Sequence, residues 1–195
     1  MLYDKVDIIQ LGRHFSYVEE LGRLAKELWH FKDVKIYRNP YPNSNDSFSL
    51  ITIIEHVKPD LYSFFITDKK LTHIEMLIDD REGGDPEHQK WMGSPYEIPF
   101  GQCFGVGEPD GPIGFMTTYY IKQYRSRNVN RLGLKLGVHE LGHMRGIDSD
   151  CENPRCILYH RHVNEEMIID REPEKEIDVL QKTPLRLCGK HQTIS

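Results

Sequence analysis

The sequence predicts an α/β fold in which a twisted mixed sheet of about four to five strands packs against about three to four helices. Apolar runs of strand length alternate along the chain with segments whose apolar residues recur at helical spacing, which is typical of an α/β layer. The 195 residues correspond to about one to one and a half domains. Because no linker or internal repeat divides them, we expect a single domain over residues 1–195.

The first half of the chain contains three predicted strands and two predicted helices. The apolar run 6–11 indicates a buried first strand, and Ser16 is a candidate cap for the amphipathic helix that follows it. Strands are also expected at 34–37 and 61–67, where β-branched and aromatic residues predominate. The apolar segment 48–57 is predicted to form a second helix.

The second half begins with a predicted loop and ends with two predicted helices. Residues 79–112 are dense in Gly, Pro and charge, which favours a long loop, broken by a short strand around 104–107. A strand is expected over 115–124. The longest helix of this half is predicted over 130–146, and a further helix near 173–181.

The composition excludes several classes of function. The formal net charge of −5 indicates a mildly acidic surface, whereas nucleic acids and anionic membranes select clustered Lys and Arg. No apolar run reaches the about 18 residues of a membrane-spanning helix, and the segment 1–12 lacks the basic start and apolar stretch of a secretion signal. We therefore expect a cytoplasmic protein that binds neither nucleic acid nor membrane.

The segment 139–143 has the pattern His-Glu-x-x-His. His139 and His143 are one helical turn apart, so their imidazoles project from one face and can hold one ion. Zinc suits neutral imidazole, and catalytic zinc lowers the pKa of water to about 7, which makes Glu140 the candidate general base for peptide hydrolysis. A chance match is the alternative, but Gly146, which can end the helix with a positive φ, extends the similarity to the longer metzincin signature.

The third ligand position of that signature holds Ser149, between Asp148 and Asp150. Serine is a poor zinc ligand, whereas a carboxylate oxygen coordinates zinc at about 2.0–2.2 Å. We therefore expect one of the two aspartates to complete the site. If neither carboxylate reaches the ion, the site holds zinc weakly or is catalytically inactive.

A second group of potential ligands lies in the C-terminal part of the chain, 147–195. Cys151 and Cys156 flank a short loop that can bring two thiolates to one ion, and Cys188 and His191 form a compact second pair. Three cysteines and one histidine are a ligand set of structural zinc, and a reducing compartment favours metal binding over disulfides. The alternative is a pair of buried free thiols beside an unrelated terminal pair.

The remaining cysteine and most remaining histidines lack a partner at metal-binding spacing. Cys103 is expected to act as a small buried hydrophobe. His160 and His162 follow Leu158 closely and keep a possible role with substrate or ligand. The scattered histidines expected to be structural are His14, His30, His56, His73 and His88.

Together these motifs resemble those of the archaemetzincins. The pattern of that family is His-Glu-x-x-His-x-x-Gly, then His-Cys, a second Cys after four residues, a Met two further on, and a distant Cys-x-x-Cys. The similarity extends over about 60–191 and includes the upstream segments 64–68 and 100–120. It implies a compact metzincin-like domain with one catalytic and one structural zinc, acting on short peptides or as an aminopeptidase.

Three departures from the family pattern affect the expected site. Asp150 directly precedes Cys151 and so occupies the place of the third histidine. Leu158 replaces the methionine beneath the metal, where its similar volume can form the same apolar floor, and His191 replaces the last cysteine. Two alternatives therefore stay open: a catalytically degenerate domain that binds zinc or peptide, and a metal-free interaction domain that uses the loop 79–112.

Overall fold

The computed structural model describes residues 4–38, 47–49, 61–72, 97–98, 101–104, 113–147, 151–159 and 173–192. Its strands belong to two sheets, and its helices are concentrated after the last strand. In chain order the strands are β1 (Lys5–Gln10), β2 (Asp33–Arg38), β3 (Ser47–Ser49), β4 (Tyr62–Thr67), β5 (Lys70–Thr72), β6 (Glu97–Ile98), β7 (Gly101–Phe104) and β8 (Ile113–Thr117). The α-helices in the described part of the chain are α1 (Val18–Trp29), α2 (Tyr119–Tyr124), α3 (Val129–Met144), α4 (Pro173–Lys182) and α5 (Gly189–Gln192).

The main sheet has five strands in the order β2-β1-β4-β8-β7. Its first four strands are parallel, and β7 runs antiparallel to β8 at the edge. A small sheet pairs β3 with β5 in parallel and β5 with β6 in antiparallel orientation. This mixed sheet with its flanking helices confirms the predicted α/β class.

The central strands are apolar along their whole length. Every residue of β4 and β8 is buried, as expected for parallel strands that are covered on both faces. The edge strand β2, which has a neighbouring strand on one side only, is only partly buried. The sheet therefore provides a rigid apolar layer on which the helices pack.

Helix α3 lies against this layer and is buried over most of its surface. It packs on β8, β7, α1 and α4, and Gly142 allows Leu158 and Trp29 to approach its backbone closely. A Cβ on Gly142 would lie 2.7 Å from Leu158 Cδ2 and 2.9 Å from Trp29 Cζ2. Trp29 also donates its indole N–H to the Val138 carbonyl at 2.9 Å, which fixes α1 against α3.

The C-terminal segment is attached to α3 by a buried lysine. Lys135 is 3% exposed, and its ammonium group donates to the carbonyls of Leu180, Gln181 and Thr183. These carbonyls belong to the end of α4, where a helix has unpaired acceptors and a partial negative charge. Burial lowers the pKa of Lys135, and the three acceptors supply the hydrogen bonds that a buried cation needs.

Several element predictions are confirmed and others are corrected. Helices predicted at 130–146 and 173–181 are present as α3 and α4. The strand predicted over 115–124 is wrong beyond Thr117, because β8 ends there and α2 follows. Thr117 Oγ1 accepts a hydrogen bond from the Tyr119 N–H at 3.0 Å and so turns the chain out of the sheet.

Local details in the first half also differ from expectation. Ser16 does not cap α1, which begins at Val18 without a side-chain cap hydrogen bond. Phe48, predicted to begin a helix, lies in β3, whereas 50–57 lies outside the described residues. Of the strand expected around 104–107, only Phe104 is described, as the last residue of β7, and 105–107 lies outside the described residues. None of the helices in the described residues combines the length and apolarity needed to cross a membrane.

Substitution Gly142→Ala tests the close packing of α3. The new methyl group has no room between Leu158 and Trp29, so the free energy of unfolding should fall by about 1–3 kcal/mol. Denaturant unfolding followed by circular dichroism measures the change. Gly189→Ala is the matched control, since a Cβ there meets nothing within 4 Å; equal stability of the two variants would contradict the packing argument.

Candidate metal centres

The first candidate centre is formed by the side chains of the His-Glu-x-x-His segment on α3. His139 and Glu140 are each 7% exposed. The Nε2 atoms of His139 and His143 lie 3.1 Å apart, and the two rings are nearly perpendicular with centroids separated by 4.7 Å. The spacing of one helical turn thus brings the two imidazoles together as the sequence predicts.

Backbone carbonyls determine which nitrogen of each ring carries hydrogen. His139 Nδ1 lies 2.9 Å from the Ile157 carbonyl oxygen, and His143 Nδ1 lies 3.0 Å from that of Ile147. Since a carbonyl oxygen only accepts, both Nδ1 atoms donate, and in the neutral rings both Nε2 atoms carry lone pairs. Metal-bound histidines commonly donate their other N–H to a backbone carbonyl in this way.

The separation of the two Nε2 atoms agrees with the ligand geometry of zinc. Tetrahedral Zn–N bonds of about 2.0–2.1 Å place two nitrogens about 3.3–3.4 Å apart, close to the observed 3.1 Å. Two converging neutral imidazoles are also the donor type that zinc prefers. His139 and His143 therefore fit one zinc ion.

A glycine turn at the end of α3 supplies one of these carbonyls. Gly146 has a φ of 82°, its N–H donates to the His143 carbonyl at 2.9 Å, and the Ile147 N–H donates to the Gly142 carbonyl at 3.2 Å. This is a Schellman motif, which confirms the predicted helix end and directs the Ile147 carbonyl to His143. The chain then enters 148–150, so Asp148, Ser149 and Asp150 lie outside the described residues.

Leu158 packs against α3 beside this site. It is fully buried, and its Cδ2 atom occupies the space next to Gly142, between the two histidines in the sequence. The Leu158 carbonyl accepts a hydrogen bond from the Cys151 N–H at 3.2 Å. The segment 151–159, which contains Leu158, therefore contacts α3 at Gly142 and, through the Ile157 carbonyl, at His139.

The second candidate centre brings together all four predicted residues of the cysteine–histidine cluster. The potential ligand atoms of Cys151, Cys156, Cys188 and His191 all lie within 4.8 Å of one another. Cys151 Sγ is 3.6 Å from Cys188 Sγ, and His191 Nδ1 is 3.4 Å from both Cys156 Sγ and Cys188 Sγ. Tetrahedral zinc bonds imply about 3.8 Å between two sulfurs and about 3.6 Å between sulfur and nitrogen, so the cluster fits a zinc ion.

The pKa shifts of Cys188 and His191, in contrast to that of Cys151, favour the protonation state of a metal ligand. Burial raises the pKa of Cys151 to about 11. Burial acts in the same direction on Cys188, but hydrogen bonds from Cys151 and the backbone outweigh it and lower the pKa of Cys188. Burial, followed by the charge of Lys190, lowers the pKa of His191 and keeps its ring neutral. A bound cation would displace the Cys151 proton.

Two of the other histidines considered from the sequence, His14 and His30, belong to the described residues. His30 ends α1 in the left-handed conformation with a φ of 56°, a structural role, and His14 is exposed on the loop before α1. The backbone of Cys103 belongs to β7, but its side chain lies outside the described residues. The histidines His56, His73, His88, His160 and His162 lie outside the described residues.

Sequence analysis did not identify the groups that orient the ligands. The Ile157 and Ile147 carbonyls hold the two rings, and any residue type could supply a carbonyl, so no sequence signal marks these positions. The role of Lys135 could have been suspected, because a lysine among the apolar positions of a buried helix needs partners. Its acceptors, in contrast, come from the distant end of α4.

Neither a protein-family model nor a curated protein sequence matches this chain. Among solved structures, the archaemetzincin of Methanopyrus kandleri superposes with a TM-score of 0.59 at 13% sequence identity, covering 97% of this chain and 92% of that one. The archaemetzincin of Archaeoglobus fulgidus, complexed with malonate, has a TM-score of 0.55 at 15% identity, covering 96% and 97%. The chain has the archaemetzincin fold.

The same fold occurs in a protein described as a zinc-dependent peptidase, from Methanocorpusculum labreanum strain Z. Its TM-score is 0.52 at 14% identity, with coverage of 96% of this chain and 97% of that chain. The archaemetzincin fold thus extends over almost the whole of the present chain. At these identities the comparison establishes the fold, and the chemistry depends on the residues described above.

Substitution Cys156→Ser tests the cluster as a structural metal site. Removing one of four ligands should release about one zinc ion and lower the melting temperature by at least about 2–4 °C, because structural zinc contributes folding free energy. Elemental analysis and thermal unfolding measure both effects. Cys103→Ser is the matched control and should keep the zinc content; an unchanged zinc content in Cys156→Ser would exclude the cluster as the site.

Proposed function

We propose that this protein is a zinc-dependent peptidase that hydrolyses peptide bonds. In this proposal His139 and His143 hold the catalytic zinc, Asp150 is the third ligand with Asp148 as the alternative, and Glu140 is the general base. The observation that carries the proposal is the pair of Nε2 atoms 3.1 Å apart whose Nδ1 atoms are both directed to carbonyls. This arrangement aims two lone pairs at one point, as metal binding requires.

Each group of the site has a defined task in the proposed hydrolysis. Zinc, when bound, supplies a Lewis acid that polarises the peptide carbonyl and acidifies water. The Glu140 carboxylate accepts a proton from the attacking water and delivers it to the leaving amine. Glu140 is only 7% exposed, and its place next to His139 on a buried helix keeps competing bulk water away from this proton transfer.

The cluster of Cys151, Cys156, Cys188 and His191 is proposed to hold a second, structural zinc. Its distances support a closed four-ligand site, and such sites leave no position open for substrate. Thiolate ligands persist in a reducing compartment, so we propose that the protein acts in the cytoplasm. Short peptides, or the amino termini of longer ones, are the proposed substrates, in keeping with the peptidase among the proteins that share the fold.

A catalytically degenerate domain is the second candidate function. It is favoured by Ser149 at the third-ligand position and by Leu158 in place of a methionine. Such a protein would keep the fold and bind zinc or peptide without hydrolysis. Its zinc would then be held by fewer than three protein ligands at the first centre.

Substitution Glu140→Gln separates the two candidate functions. Loss of the general base should lower the hydrolysis rate about 10²–10⁴-fold, with the zinc content unchanged because the two histidines remain. A fluorogenic peptide library measures the rate, and elemental analysis measures the zinc. Equal and negligible rates for the wild type and the variant, both loaded with zinc, would remove the peptidase and leave the degenerate domain.

Substitutions Asp150→Ala and Asp148→Ala identify the third ligand. Loss of a carboxylate ligand should weaken zinc binding at the histidine pair more than about tenfold, since loss even of an outer-shell partner costs 10–100-fold. The affinity is measured by chelator competition. We expect the effect for Asp150→Ala, with Asp148→Ala as the matched control, and the reverse order would assign Asp148. Wild-type affinity in both variants would contradict an aspartate ligand.

A further inference from the structure

One short segment of the chain contributes to both candidate centres. Cys156 belongs to the cluster, and the next residue, Ile157, accepts the hydrogen bond from His139 Nδ1 at 2.9 Å. Both residues are almost completely buried, with exposed fractions of 0% and 1%. The residue that follows a cluster ligand therefore supplies the carbonyl that orients a histidine of the other centre.

Contacts with residues 183–192 also hold the backbone of Ile157 and the thiol of Cys156. The Ile157 N–H donates to the Arg186 carbonyl at 2.8 Å, and the Cys188 N–H donates to Cys156 Sγ at 3.4 Å. Arg186 Nε approaches the Arg155 carbonyl at 3.4 Å. Residues 151–159 are thus joined to 183–192 by the cluster and a few hydrogen bonds, and an ion in the cluster would tie the two segments together.

The position of the Ile157 carbonyl must be accurate to a fraction of an ångström. Hydrogen bonds weaken steeply when distance or angle departs from the optimum, and the planar Cys156–Ile157 peptide leaves only a few backbone torsions between Cys156 and this carbonyl. A shift of the buried Cys156 backbone is therefore transmitted to Ile157 and its carbonyl. The ring of His139 then loses the acceptor that fixes its orientation.

We propose that the ion held by the cluster positions the Ile157 carbonyl and thereby raises the metal affinity of the histidine pair. This inference rests on the proposed function of the two histidines. The two centres are then energetically coupled, with Ile157 as the positioning residue. Because such coupling is reciprocal, metal at the histidine pair also strengthens the binding of metal at the cluster.

The test compares two substitutions at one cluster ligand. His191→Ala removes a ligand, whereas His191→Cys replaces it with another zinc ligand and serves as the rescue. We expect zinc affinity at the histidine pair to fall about 10–100-fold in His191→Ala, the effect typical of losing an outer-shell partner, and to return in His191→Cys. Chelator competition measures the affinity, and nitrogen-15 NMR follows the hydrogen-bonded Nδ1 proton of His139, which should exchange faster in His191→Ala.

Two further variants make the result decisive. Cys188→Ser removes a different ligand and should reproduce the effect of His191→Ala. It therefore serves as the test if His191→Ala does not fold. Lys135→Met loosens the end of α4 with the cluster intact, so it measures the effect of general destabilisation. Wild-type affinity in both ligand variants, or an equal loss in Lys135→Met, would overturn the coupling. If His143→Ala still binds two zinc ions, the proposed function itself fails.

Discussion

A buried helix that carries polar side chains needs a partner for each of them, and this constraint organises the structure around α3. Unpaired polar groups in an apolar interior cost several kcal/mol. Lys135 finds three carbonyls at the end of α4, and His139 finds the carbonyl of Ile157. The segments 151–159 and 173–192 are thus held against α3 by the carbonyls that they supply to its buried side chains.

Much of the site could be predicted from the sequence because its geometry is local. A spacing of four residues on a helix fixes the separation of His139 and His143, and Gly146 marks the end of the helix. The orienting carbonyls of Ile147 and Ile157 could not be predicted, since every residue type carries one. The prediction of a strand over 115–124 was wrong at α2. Aromatic residues favour strands, but Tyr120 and Tyr124 stack at helical spacing.

The cluster shows how a ligand substitution changes the charge of a buried site. Four thiolates around a divalent cation leave a net charge of about −2, whereas three thiolates and a neutral imidazole leave about −1. Burial disfavours net charge, and His191 is only 2% exposed. The histidine at this position therefore reduces the charge that the interior must accommodate. The nearby Lys190 offsets part of what remains.

The way in which α3 ends also shapes the electric field near its two histidines. Peptide dipoles add along a helix and give its C-terminus about half a negative charge, and His143 belongs to the last turn of this helix. A positive ion beside His143 would lie within that field, whereas an anion would be repelled. The C-terminal end of α3 thus adds an attraction for cations to that of the Glu140 carboxylate, and the opposite helix direction would turn this attraction into repulsion.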